Sequence, residues 1–374
     1  MTPDATAATG ARPALADALT DAPGDTSAPA SLAVVGDRVA ARVTEILDAE
    51  VERWTPVDPA LREPLLALRD LVVAGGKRLR PAFCHWAYVG AGGDATSEVI
   101  VDASAALELL HTFALVHDDV MDGSDRRRGV PSIHHDFVTR HRDRSWHGEP
   151  RRFGEGVAIL VGDFAFVYSD IVFPSTSAAA RRVFDELRIE LSVGQYLDLV
   201  GTAGGSRDAA AARRIERYKS GKYTVERPLH LGAALAGRLD ELDESLSRFG
   251  LPLGEAFQLR DDLLGVFGDP EVTGKPVGDD LREGKLTPLV AAAAARARGA
   301  DARLLARLGD PSLRDEDVAA LQGVLVATGA RAEIEETIER LVDDALRALA
   351  DVPVTAEARH ALQQLGTFVA WRDR

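Results

Sequence analysis

From about residue 32 onward, apolar residues recur at three- and four-residue spacing, and runs that alternate apolar with polar residues are scarce. A sheet needs the two-residue period, so a chain of this kind must bury its apolar stripes helix against helix. Ala, Leu, Arg and Glu, all good helix formers, fill these segments. The pattern predicts helices over 34–53, 61–73, 79–90, 97–119, 155–171, 177–200, 207–220, 222–236, 240–266, 287–297, 315–328 and 331–350. Helix breakers separate them, among them GAGGD at 90–94, GTAGGS at 201–206 and GDPEVTGKPVGDD at 268–280. The expectation is an all-α protein with one domain over 32–374, although 374 residues would ordinarily suggest two.

Residues 1–31 are rich in Ala, Thr, Pro, Gly and Asp and lack periodicity, which predicts a disordered tail. They also lack the basic start and apolar stretch of a secretory signal. No apolar run approaches the roughly 18 residues of a membrane span, so stable membrane insertion is not expected. A net charge of -15 and a pI near 5.1 argue against a general nucleic-acid or anionic-membrane binder, whose footprint is basic. Cys84 is the only cysteine, which excludes a disulfide framework and suits a reducing cytoplasm, the expected location.

The chemistry concentrates in LVHDDVMDGSDRRRG at 115–129. Asp118 and Asp122 are four apart and share a helical face, with Asp119 beside them. Three carboxylates so close repel one another, and the helix C-terminus opposes negative charge, so a solvated acidic helix end is the weaker reading. Oxygen-only ligands on a helix suit Mg²⁺, which keeps several waters and completes its shell with substrate phosphates. The segment lacks the alternating ligands and final Glu of a calcium loop of the EF-hand type.

A second acidic pair, Asp261 and Asp262, follows the mainly apolar EAFQL, with Gln258 one turn earlier. Two aspartate pairs, each ending a long helix, suggest facing walls that share metal ions. Cations suited to phosphate accompany them: Lys77 and Arg80 in GGKRLRP, Arg126 to Arg128, Lys219 and Lys222 in YKSGK, and Lys275 and Lys285 in TGKPVGDDLREGK. Arg offers a planar fork to phosphate oxygens and Lys a compact point charge. Each alone is more often plain surface; together they read as acid holding metal, with metal and base holding diphosphate.

These motifs, in this order, resemble the polyprenyl synthetase family of trans-type isoprenyl diphosphate synthases, over about residues 35–374 and including the closing WRDR. The resemblance implies an isoprenoid synthase fold, with helices around a deep central cavity, and a homodimer. It implies the reaction too: an allylic diphosphate ionises, isopentenyl diphosphate attacks the allylic cation, and a proton is lost. Asp118, Asp119 and Asp122 would hold Mg²⁺ on one wall and Asp261 and Asp262 on the other, with three ions in all. Arg127, Lys219, Ser220, Gln258, Lys275 and Lys285 would meet the allylic substrate or its diphosphate. Gly76, Lys77, Arg80, His111 and Arg128 would form the isopentenyl diphosphate site. The family often gives the proton to the pyrophosphate leaving group, so no residue is assigned as general base.

Two positions depart from the family's pattern. Gly265 stands where a third Asp is common, which predicts a weaker second-wall site or water in that ligand's place. Leu286 stands where an Arg is frequent, whereas Thr287 and Pro288 still read as the start of a capped helix. In YKSGKYT, Lys219 and Ser220 fit the motif best, with Lys222 and Thr224 as the alternative.

Phe113 lies five residues before Asp118, about 7.5 Å down the helix, with Ala114 beside it. In the family a bulky residue there floors the cavity, so the resemblance is to a geranylgeranyl diphosphate synthase, with a farnesyl or longer-chain synthase as the alternative. The competing reading of Phe113 is an ordinary core residue. Residues 123–154, dense in Arg and with His134, His135, His141 and His147, read either as a mobile cover over bound diphosphates or as a solvated basic loop.

Three rival classes fit less well. A class I terpene cyclase usually carries an Asn/Ser/Glu motif on its second wall and needs no second diphosphate site. A metal phosphohydrolase needs a better ligand set than His85, His111 and His117. A non-catalytic regulatory subunit is the reading that Gly265 leaves open, against the intact first motif and the cations.

Overall fold

The computed structural model describes residues 29–175, 177–204, 208–268, 278–310 and 312–371. The expected tail lies outside them as far as residue 28, and the first helix begins at Ala30. Lys275 also lies outside the described residues.

The helices are α1 (Ala30–Trp54), α2 (Arg62–Val73), α3 (Leu79–Gly90), α4 (Glu98–Asp122), α5 (Ile133–Asp143), α6 (Pro150–Val172), α7 (Ala178–Ala203) and α8 (Ala209–Glu216). Helix α8 continues as a π-helix, Arg217–Glu226, into α9 (Arg227–Leu235). Then come α10 (Leu239–Phe267), α11 (Asp279–Glu283), α12 (Pro288–Arg296), α13 (Gly299–Leu305), α14 (Asp315–Ala327), α15 (Ala330–Ala350) and α16 (Ala356–Trp371). Among the described residues the only strands are β1 (Arg126–Arg127) and β2 (Val130–Pro131), an antiparallel pair. The protein is therefore all-α, as its periodicity requires.

The described chain forms two compact units, residues 30–85 with 95–175 and residues 86–94 with 177–371. In the first unit, α1 presents Val35, Val39, Val43, Leu47 and Val51, one every fourth residue, to Leu65 and Leu68 of α2 and Leu109 and Val116 of α4. Burying each such side chain contributes about 1.5–3 kcal/mol, so a charge at Leu47 would break this unit. Ser97 Oγ caps α4 by accepting from Val99 N, and Gly123, at φ 68°, ends it in the left-handed conformation. One helix, α4, is long and apolar enough to cross a membrane, contrary to the sequence reading; its apolar window is 61% buried within the protein, which identifies a core helix.

The segment read as either a cover or a solvated loop is largely the hairpin and α5, which packs on α6. Its Ile133, His134, Phe137, Val138 and His141 are buried. His141 lies against Trp146 and Phe153, with ring centroids 6.1 and 5.3 Å away. His134 and His141 therefore serve as core side chains, whereas His135, 3.2 Å from Asp125, and His147 lie nearer solvent. In the second unit α10 buries Leu246, Phe249, Leu253, Ala256, Leu259 and Leu263 and packs against α15 and the π-helix. Helices α11, α13 and α16, like α5, were not expected from the pattern.

Candidate active site

Helix α4 ends in Asp118, Asp119 and Asp122, and its dipole adds partial negative charge at that end. The hairpin that follows returns Arg127 to these residues. Its Nε donates to Asp119 Oδ1 at 2.8 Å, Nη2 also reaches Asp119, and Asp118 Oδ2 lies 3.7 Å from Nη2. Burial pulls the Arg127 pKa down, but the charges of Asp119, Asp118 and Asp122 outweigh it and hold the guanidinium protonated. Asp119 is buried, while Asp118 and Asp122 remain partly accessible.

Of the predicted isopentenyl diphosphate residues, Gly76, Arg80, His111 and Arg128 come together in the first unit. Arg128 donates from Nη1 to Leu71 O at 3.0 Å, and a Cβ on Gly76 would stand 2.6 Å from its Nη2. Only glycine leaves that space, and only glycine adopts the Gly76 φ of 151° without cost. Burial lowers the Arg128 pKa, and Arg78, Arg127 and Arg80 lower it further against Glu108. Burial and the same arginines, led by Arg80, push the His111 imidazole well below its usual range. A cluster of cations that repel one another is suited to bind an anion. Sequence reasoning passed over Arg78 and Glu108, a buried ion pair beside this group; an arginine and a glutamate on helical segments give no sequence signal of pairing.

In the second unit, Asp261 is partly exposed at the end of α10 and Asp262 is buried. Gln258 Nε2 donates to Asp262 Oδ1 at 2.7 Å. Asp262 Oδ2 and both Glu216 carboxylate oxygens are buried with no hydrogen-bond donor on them. Burial, together with Asp280 and Asp261, pushes the Asp262 carboxyl up to about 7. Burial, and after it Asp262, raises Glu216 well above the carboxylate range. Glu216 was not expected in the site, because its position on a polar helix reads as surface.

The expected gap at Gly265 is filled. The Asp280 carboxylate lies where a Cβ of residue 265 would be, so the room left by glycine is taken by an acid from α11. Lys285 Nζ is 3.5 Å from Asp280 and 2.7 Å from Glu283. Leu286 is core, packed with Ala212 and Ile215, which explains why no arginine is needed there. Thr287 caps α12 through Val290 N at 3.3 Å, ahead of Pro288.

The π-helix gives the two lysines different partners. Lys219 Nζ is 2.6 Å from Asp198 Oδ2 on α7, whereas Lys222 pairs with Glu190, which Arg227 also holds at 2.6 Å. Lys222 thus sits in an ion network with Glu190 and Arg227, while Lys219, with Ser220 next to it, pairs with Asp198. Phe113 is partly buried against the core of the first unit, with ring centroids 4.6 Å from His117 and 4.9 Å from Phe166.

Among the described residues no three His, Cys, Asp or Glu side chains close into a metal cage. The donors are oxygens only, in open sets, and Asp262 Oδ2 is a buried acceptor without a donor. Such sets fit an ion that keeps waters and is completed by substrate oxygens, as Mg²⁺ does.

Comparison with known proteins agrees. The family model "Polyprenyl synthetase" matches residues 63–325. Geranylfarnesyl diphosphate synthase of Aeropyrum pernix is 34% identical over 312 residues, 81% of this chain and 92% of the relative. (2E,6E)-Farnesyl diphosphate synthase of Mycobacterium tuberculosis is 33% identical over 80% of each chain. The crystal structure of geranylgeranyl pyrophosphate synthase from Corynebacterium glutamicum, complexed with isoprenyl diphosphate and magnesium, superposes with a TM-score of 0.87 at 37% identity, covering 91% of this chain and 99% of that one. The chain belongs to the polyprenyl synthetase family, the trans-type isoprenyl diphosphate synthases. It is a short-chain prenyltransferase, which condenses isopentenyl diphosphate with an allylic diphosphate, and its fold is the isoprenoid synthase fold.

Proposed function

We propose that the chain makes geranylgeranyl diphosphate, the twenty-carbon product, in a Mg²⁺-dependent reaction. The observation that carries the product length is Phe113, a bulky ring five residues before the first aspartate motif, packed rigidly against His117 and Phe166. Relatives named for fifteen- and twenty-five-carbon products bracket this choice.

Asp118, Asp119, Asp122, Asp261 and Asp262, with Asp280 in the place Gly265 leaves, would hold three Mg²⁺ ions. Bound there, the ions supply Lewis-acid stabilisation of the departing pyrophosphate. Lys77, Arg80 and Arg128 bind and orient isopentenyl diphosphate, with Gly76 giving Arg128 its room and His111 held neutral among the arginines. Lys219, Ser220, Gln258, Lys275 and Lys285 serve the allylic diphosphate, with Arg127 as a fixed positive charge at the first motif. Phe113 and Ala114 bound the space open to the growing chain.

Assembly as a homodimer is supported by exposed apolar side chains, Ile159, Leu160, Val167 and Ile171 on α6 and Ile189, Val193, Tyr196 and Val200 on α7. A cytoplasmic enzyme suits its one buried, unoxidised Cys84.

The test is to incubate the protein with Mg²⁺, isopentenyl diphosphate and, separately, five-, ten- and fifteen-carbon allylic primers, then identify the dephosphorylated products by mass spectrometry. A twenty-carbon alcohol is expected, and Phe113→Ala shifts the product to longer chains. An unchanged product distribution in that variant overturns the role of Phe113.

A further inference from the structure

We propose that the buried Arg78–Glu108 ion pair is a positioning device for isopentenyl diphosphate: it fixes the loop that carries Lys77 and the helix start that carries Arg80, and does not itself touch the ligand. The inference rests on the reading of Lys77 and Arg80 as the isopentenyl diphosphate site.

The loop between α2 and α3 is conformationally costly. Gly75 and Gly76 have φ values of 100° and 151°, and Arg78, which is not a glycine, has a φ of 48°. A left-handed arginine persists only where its surroundings over-determine it. Those surroundings are visible. Arg78 Nη1 donates to Glu108 on α4 and Nη2 to Val72 O in the last turn of α2. The side chains of Arg78 and Glu108 are only 6% and 3% exposed. The Arg78 stem also runs close to Gly36 on α1, so α1, α2 and α4 all hold it.

What the pair holds is the start of α3. Arg78 O accepts from Ala82 N at 3.1 Å, so the left-handed residue sets the first turn of the helix and the direction of Arg80 within it. Lys77, its chain neighbour, is partly exposed while Arg78 is buried. Glu108 stands one turn before His111, so a single carboxylate couples the loop to the helix that bears the first aspartates. The cations that would bind phosphate depend on a pair with both charges already matched.

The test compares Arg78→Gly, Arg78→Lys and Glu108→Gln with Lys77→Ala by steady-state kinetics in both substrates, with circular dichroism melting to select folded variants. Arg78→Gly is informative because glycine accepts the left-handed φ, so it removes the guanidinium while easing the backbone. The KM for isopentenyl diphosphate should rise on the order of tenfold or more in Arg78→Gly and Glu108→Gln, and less in Arg78→Lys. The KM for the allylic substrate should stay within about twofold. Added guanidinium ion should restore part of the loss in Arg78→Gly. If Lys77→Ala raises this KM and the folded Arg78 and Glu108 variants do not, the positioning role is overturned. It is also overturned if these variants lose kcat and both KM values alike, as a general packing defect would. If Lys77→Ala leaves the KM unchanged, the underlying site assignment is what fails.

Discussion

The acidic end of α4 carries its own counter-ion, whereas at the acidic end of α10 the buried carboxyls meet a neutral amide and one another. Asp119 is held by Arg127, whose guanidinium stays protonated against the burial that opposes its charge. Asp262 has Gln258 on one oxygen, and burial, with the charges of Asp280 and Asp261, raises its affinity for a proton. Two motifs that look alike as strings of letters therefore have different partners on their buried aspartates before any ligand arrives. In the first a guanidinium sits on the buried aspartate; in the second a neutral amide does.

The largest test of this contrast is to remove one carboxylate from each. Asp119→Ala and Asp262→Ala should each cut kcat on the order of a thousandfold, since each removes a group that serves the developing charge. Their effects on folding should differ in direction. Asp119→Ala strands the buried Arg127 cation and should cost about 3 kcal/mol by urea denaturation, whereas Asp262→Ala relieves carboxyl crowding and should cost nothing or stabilise. Equal losses in both would break the comparison.

A smaller effect lies in pH. Asp262 titrates near 7 in the fold and near 4 when unfolded, so between these values the folded state binds a proton that the unfolded chain does not. The fold therefore loses this contribution as pH rises from about 4 through 7. Stability measured without metal should fall in the wild type relative to Asp262→Asn across that range, by on the order of 2 kcal/mol. A constant difference would refute the raised pKa.

The smallest expected effect separates the lysines. Lys219→Ala should lower kcat/KM for the allylic substrate about tenfold with little change in stability. Lys222→Ala, which breaks the Glu190 network, should instead lower stability by about 1 kcal/mol and leave kcat/KM within twofold. The reverse outcome would move the ligand-facing role to Lys222.

Periodicity made most helices legible, and the aspartate pairs, GGKRLRP and YKSGK marked the chemistry before any coordinates. What escaped was of two kinds. Helix α5 reads IHHDFVTRHRD, and its buried face uses the apolar bodies of His134 and His141, which a polar–apolar reading scores as surface. Asp280, Glu216, Arg78 and Glu108 escaped because each matters through a neighbour distant in the chain, and sequence spacing reports only neighbours on one helix. Gly265 is the instructive position: as a letter it is a missing acid, and in space it is the room that another acid occupies.

The π-helix of Arg217–Glu226 places a constraint at the level of the gene. A widened turn of this kind holds one residue more than an α-helical turn. A deletion of one codon within it would keep the reading frame, both lysines and nearly all of the apolar pattern, yet rotate Lys219 away from Asp198 or Lys222 away from Glu190. Natural length variation should therefore be purged from these ten residues more strictly than substitution.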